Sequence, residues 1–229
     1  MQKRILKTLE QCRYSVLTER DDLEKVYKLR YSCYRAENSI SLNKQEIMHD
    51  SYDQSPNCIH VALEMGGTLV SAVRLHLITP LMQESPTLEV FPEILGSADL
   101  GSTLLDPTRF VVHPDARKMR VPIHFLTLRI PFLAAMFYDV ETALAPVRPE
   151  HVAFYQRYLG YKLHAEPRVY PGLKNPVALL AADFQAHRYA VLAKYPFFGH
   201  VAAVPQSEIN FPDLVGKLAA QQSPAAYVA

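Results

Sequence analysis

The chain has 229 residues, 49% hydrophobic and 21% charged, which excludes a disordered scaffold and fits one large domain or two small ones. Twenty-four Lys and Arg against 23 Asp and Glu leave a formal charge of +1, so no nucleic-acid partner is expected. Three cysteines without a C-x-x-C pair, no hydrophobic leader, and no apolar run longer than residues 130–137 predict a cytoplasmic protein. Neither disulfides, a metal site nor a membrane span is expected. Eight glycines, with no Gly-rich phosphate loop, exclude dinucleotide and P-loop chemistry.

In chain order, residues 14–18 read as a strand. A helix follows to about Arg35, with Asp21 and Asp22 as N-cap candidates. Residues 59–63 and 69–77 are β-rich runs joined by Glu64-Met65-Gly66-Gly67, a hairpin signal. A short helix is predicted around residues 91–95 and a strand over 108–113, stopped by Pro114. Residues 117–138 read as one buried helix that Pro131 should kink or break. A strand at 142–147, a helix at 149–159 and a strand pair at 161–169 and 177–182 complete an α/β domain over residues 1–185. Residues 186–229 are predicted as a C-terminal helical extension and tail, with helices at 184–194 and 211–220.

Three polar clusters interrupt apolar strands. In Asp106-Pro107-Thr108-Arg109-Phe110, strand alternation places Asp106 and Thr108 on one face and Arg109 on the other, unless a bulge intervenes. Such a carboxylate can deprotonate an incoming nucleophile; the alternative is an Asp-Pro turn with a structural Arg. Arg74, inside Ser71-Ala72-Val73-Arg74-Leu75-His76, needs an anion, and Asp50, Asp53 or a substrate carboxylate can supply it. Arg117-Lys118-Met119-Arg120, ahead of a helix, is either an anion site or a solvated charge run.

The order of these clusters resembles the GNAT-fold acyltransferases. His113-Pro114-x-x-Arg117 resembles their donor loop, and Tyr155-Gln156-Arg157-Tyr158-Leu159-Gly160-Tyr161 their Y-x-x-x-G-[FY] segment. The upstream half is similar to the acyl-homoserine-lactone synthase branch. Arg30 and Tyr34 meet its R-x-x-x-F and Asp50 and Asp53 its D-x-x-D. Arg74-Leu75 and Phe91-Pro92-Glu93-Ile94-Leu95 follow in order, and Asp106, Thr108, Arg109 and Phe110 meet its E-x-S-R-F. The similarity spans residues 14–182. The departures are the absence of any Trp, Asp106 in place of Glu, Arg120 and Pro122 where small residues are usual, and a tyrosine-to-glycine spacing longer by one. N-acyl amino acid synthases, sister enzymes that acylate an amino acid from acyl carrier protein, share this mixture.

The resemblance implies a single GNAT-like domain with a mixed, mostly antiparallel sheet flanked by helices. It implies Asp106, Thr108 and Tyr155 as catalytic residues, with Asp106 the base and Tyr155 the acid toward the leaving thiolate. Arg30, Tyr34, Asp50, Asp53, Arg74 and Arg109 would bind substrate. Phe110, Val111, Val112, Arg117, Lys118 and Arg120 would bind the acyl donor, and Phe125, Leu126, Leu133, Met136 and Phe137 could line an acyl groove, with ordinary core the favoured alternative for each. No tightly bound cofactor is implied. The donor would be the phosphopantetheine thioester of acyl carrier protein, or acyl-CoA, and a lipid product allows peripheral membrane contact. The competing functions are an acyl-homoserine-lactone synthase using S-adenosylmethionine and a non-catalytic module binding acyl carriers.

Overall fold

The computed structural model describes residues 2–97, 102–118 and 122–222. Seven strands form one sheet: β1 (Cys12–Leu17), β2 (Cys58–Met65), β3 (Thr68–Ile78), β4 (Leu104–Val112), β5 (Thr142–Val147), β6 (Lys162–Arg168) and β7 (Val177–Asp183). Their order is β1-β2-β3-β4-β5-β7-β6, antiparallel except where β4 meets β5. That parallel pair joins through Leu104 with Thr142 and Leu105 with Ala143 alone. Beyond Leu105, β4 therefore has no strand partner on its β5 side, and the sheet splays.

Side-chain alternation assigns the two faces. Ala72 and Val111 pack under α2 (Arg20–Ala36) through Val26, Leu29 and Cys33. Their neighbours Val73 and Val112 join the larger cluster around α5 (Ile123–Phe137) on the other face. The mixed, mostly antiparallel sheet flanked by helices that was inferred from sequence is thus observed.

Several local details differ from expectation. Asp21 and Asp22 do not cap α2; Glu19 holds the cap position without a side-chain bond, and the two acids sit in the first turn, where they favour the helix dipole. The predicted helix over 117–138 is two helices, α4 (Pro114–Lys118) and α5, with Pro122 at the N-cap of the second. Pro131 does not end α5, because fully buried Ile130 and Ala134 anchor the turns around it. The segment at 91–95 is a 3-10 turn, Pro92–Gly96, preceded by α3 (Pro86–Val90), whose N-cap Ser85 accepts from the Thr87 and Leu88 N–H groups. An amphipathic α1 (Gln2–Leu9) was not foreseen. α6 (Val152–Leu159) and α7 (Phe184–Lys194) lie where predicted. The last helix, α8, runs from Leu214 to Gln222, and the predicted tail at 223–229 lies outside the described residues.

Beyond β7 the chain returns to the main core: Val191, Tyr195, Phe197, Phe198 and Val204 belong to the α5 cluster. Arg129 of α5 fastens it. The guanidinium is fully buried and donates to the carbonyls of Phe197 (2.8 Å), Gly199 (2.9 Å) and Ser207 (2.6 Å), and its carbon lies 5.5 Å from the Tyr14 ring centroid. Arg129→Lys keeps the charge but loses the planar fork. It is expected to cost about 1–3 kcal/mol by orphaning buried carbonyls, read as a lower denaturant midpoint at unchanged slope. An unchanged midpoint would mean that the fork contributes nothing.

Candidate active site

The turn between α2 and β2 preorganises two acids. In the 3-10 turn Ser51–Gln54, Asp50 Oδ1 accepts the Tyr52 N–H (3.1 Å) and Asp53 Oδ2 accepts the Asp50 N–H (2.8 Å). Each acid then bridges two arginines. Asp53 Oδ1 lies 2.7 Å from Arg30 Nη1 and 3.0 Å from Arg74 Nη1. Asp50 takes Arg74 Nη1 at 2.5 Å and Arg109 Nη2 at 2.6 Å. Three guanidinium groups against two carboxylates leave one positive charge in a nearly dry site. Arg74 Nη2 and Arg109 Nε are buried without a hydrogen-bond partner. Burial works against ionisation of both acids, yet the arginine bonds and charges outweigh it and hold both carboxyls below the usual range.

Arg109 reaches this network through a β-bulge. Arg74 pairs with Thr108 and Ala72 with Val111, so Arg109 and Phe110 together oppose Val73 alone. Arg109 sits at φ 52°, a left-handed conformation that is strained for a residue with a Cβ. The simple alternation that sent Arg109 to the opposite face from Thr108 is therefore overturned: the bulge turns it back onto Asp50, beside Arg74.

Two histidines lie beneath the network as neutral rings. Burial and the Arg30 charge push His60 down to about 4, and burial and Arg74 push His76 down to about 3. His60 Nδ1 accepts from Arg30 Nη2 (3.0 Å), which leaves Nε2–H to donate to the Asp53 carbonyl (3.0 Å). Neither ring is placed to act as a base.

Asp106 is fully buried on β4. Its oxygens accept from the Ser85 hydroxyl (2.5 Å) and the Thr87 hydroxyl (2.8 Å), and Thr87 Oγ1 lies 3.0 Å from the Tyr170 hydroxyl. Burial pushes its carboxyl up to about 6, although the Ser85 and Thr87 bonds oppose the shift. Ser85, Thr87 and Tyr170 were missed in the sequence. Ser85-Pro86 with Glu89 was a legible helix start, but nothing in the spacing connected it to Asp106.

A cavity of about 760 Å³ passes through the splay between β4 and β5. On the α2 face it is lined by Tyr34, Thr108, Arg109 and the ion pair Glu37–Arg148 (3.3 Å). Phe110 and Val112 border the gap, Tyr155 of α6 lines it, and burial pushes the Tyr155 hydroxyl up to about 12. Arg30, Asp50, Asp53, Arg74 and Asp106 stand behind this wall and do not line it. Val111 does not line it either, because alternation turns it under α2. Thr108 connects the layers: its Oγ1 accepts from Arg74 Nε (3.0 Å) and it faces the cavity. On the α5 face the lining residues are Leu128, Pro131, Phe132 and Ala135, one helical stripe. The predicted groove of Phe125, Leu126, Leu133, Met136 and Phe137 is not that stripe. Phe125 and Leu126 turn into the core, while Met136 and Phe137 reach solvent.

Arg117 and Lys118 lie in α4, and Arg120 is outside the described residues. Among the described residues no cluster of His, Cys, Asp or Glu is arranged to hold a metal ion, and no helix is long and apolar enough to cross a membrane.

A mixed sheet splayed beside a bulged strand, with a cavity through the gap, is a GNAT-like fold. Residues 25–183 match the family model described as N-acyl amino acid synthase FeeM, and the chain belongs to that family. It is an N-acyltransferase. The fold is similar to that of FeeM, an N-acyl amino acid synthase from uncultured soil microbes, with TM-score 0.66 and 14% identity over 80% of this chain and 96% of that one. It is also similar to BjaI, a CoA-dependent acyl-homoserine lactone synthase solved with SAM and isopentyl-CoA: TM-score 0.67 and 16% identity over 91% of this chain and 99% of that one. TofI, solved with an inhibitor and MTA, gives 0.57 and 18% over 82% and 100%. Comparison with curated protein sequences finds no match.

Proposed function

We propose that the enzyme moves a fatty acyl group from the phosphopantetheine thioester of acyl carrier protein to the amine of a free amino acid in the cytoplasm. The observation that carries this reading is the cavity itself. It joins a cationic wall on one face of the sheet to an apolar stripe on the other, through the gap where β4 is unpaired. The acceptor's carboxylate meets the surplus positive charge at Arg109, which lines the cavity. Arg74, Arg30, Asp50 and Asp53 fix Arg109 from behind. The amine nitrogen attacks the thioester carbonyl, forming the amide bond as the C–S bond breaks. The amine proton passes to Asp106 through Thr108 or water, and the developing oxyanion is met by β4 backbone N–H groups near Phe110. Tyr155 is the candidate proton donor to the leaving thiolate.

The test offers acyl-loaded carrier protein, acyl-CoA, a mixture of amino acids and S-adenosylmethionine, with products identified by mass spectrometry. An N-acyl amino acid is expected; an acyl-homoserine lactone as the main product would overturn the reading. The clamp is tested with a free amino acid against its methyl ester. A large loss of kcat/KM with the ester is expected, and equal use of the two would remove the carboxylate clamp.

Arg117, Lys118 and Arg120 are proposed from sequence as the landing site for the acidic carrier. Reversing their charge to Glu should raise KM for acyl carrier protein and flatten its salt dependence, with kcat at saturation nearly unchanged. An unaltered KM would place the carrier elsewhere.

A further inference from the structure

We propose that a three-ring wall, Phe132 of α5 with Phe184 and Phe198 from beyond the family-matched segment, closes the α5 end of the cavity and sets the length of acyl chain the enzyme accepts. This rests on the reading that the cavity holds the acyl group.

The cavity runs past Leu128 and Pro131 to Phe132 and Ala135, and Phe184, Val191 and Phe198 also line it. The Phe132 ring lies 5.1 Å from that of Phe184 and 5.3 Å from that of Phe198, centroid to centroid. These apolar rings and methyls offer a chain no polar partner, so what they select is length and shape.

The wall is also held rigidly. Arg129, one turn before Phe132 on the same helix, grips the carbonyls on either side of Phe198, those of Phe197 and Gly199. The backbone that carries Phe198 cannot move aside for a longer chain without breaking two buried hydrogen bonds. Arg129 is thus a positioning residue for the wall. The family match ends at residue 183, so two of the three rings come from outside it.

The test measures thermal stabilisation by straight-chain fatty acids from C8 to C18, since a ligand that binds the folded state raises Tm by an amount that grows with the logarithm of its affinity. For the unaltered protein, stabilisation should climb about fourfold in affinity per added methylene up to a cut-off and fall beyond it. Phe132→Ala should move the cut-off up by about two to four carbons, on the scale of the ring volume removed. Phe198→Leu should move it up by a smaller step, and Ala135→Leu should move it down. Opposite shifts cannot both come from general damage to the fold. A cut-off that stays put in variants retaining the parental Tm overturns the wall, as does stabilisation that grows without limit in the unaltered protein. The same variants are offered acyl donors of each length. Failure to form amide with any donor, while the binding cut-off still moves, sinks the acyl-transfer reading and leaves the wall standing.

Discussion

Arg74→Met should destabilise the protein by about 3–5 kcal/mol at pH 7, the cost of removing one member of a buried ion pair. Arg74 is fully buried and touches Asp50, Asp53 and Thr108 at once. Without it Asp53 keeps only Arg30, Asp50 keeps only Arg109, and two carboxylates linked through a single capping box face each other with less charge between them. The pH dependence has a definite sign. Both acids titrate below their unfolded values, so they contribute stability above about pH 4 that is lost as pH falls through their folded pKa values. Removing Arg74 raises those folded values, so the acid unfolding midpoint should move to higher pH. Denaturant unfolding at pH 7 and acid titration of both proteins provide the measurement. A loss below about 1 kcal/mol, the scale of an exposed pair, would show that Arg74 carries no buried pair.

The distinction between a structural and a substrate-facing arginine was not legible in the sequence. Arg74 and Arg109 both interrupt apolar strands, and alternation alone gave them no shared partner. The bulge at Arg109 and Phe110 changes that, and it depends on strand register across β3 and β4, a long-range property that no local pattern carries. What was legible rested on local rules: the Gly66-Gly67 hairpin, the Pro114 stop and the apolar strands. α5 shows the limit of such rules. Its apolar residues surround the helix, so periodicity could not say which stripe faced core and which faced the cavity. Pro131 read as a helix breaker because its lost hydrogen bond is visible in sequence, whereas the burial that offsets it is not. Ser85 and Thr87, which bond Asp106, lie 21 and 19 residues before it, and Tyr170, which bonds Thr87, comes 64 residues after it, so only the folded chain brings them together.

Asp106→Asn should lower turnover by about 10²–10⁴, the usual contribution of a general base, while leaving the fold intact or stabilising it above pH 6. The two effects have one cause. Burial lifts the Asp106 carboxyl to about 6, so the folded chain binds this proton more tightly than the unfolded chain, where the ordinary value is about 3.9. The associated stability is full below about pH 4 and is lost as pH rises through 6. Above that the folded protein carries a buried charge whose support is the hydroxyls of Ser85 and Thr87. Asparagine fits the same space without that charge, and both hydroxyls can rotate to suit it. A carboxylate held near 6 is also a stronger base than an exposed one while remaining ionised at neutral pH, which suits removal of an amine proton. The unaltered enzyme should therefore lose kcat/KM below about pH 6, and the variant should lack that limb. The variant's deficit should shrink above about pH 9, where free amine forms without help. Asp106 does not line the cavity, so the proton must cross by way of Thr108 or a water, and Thr108→Val should reproduce part of the loss without moving the pH limb. If Asp106→Asn retains full turnover at pH 7, the buried carboxylate is a strut between β4 and α3 and the base lies elsewhere.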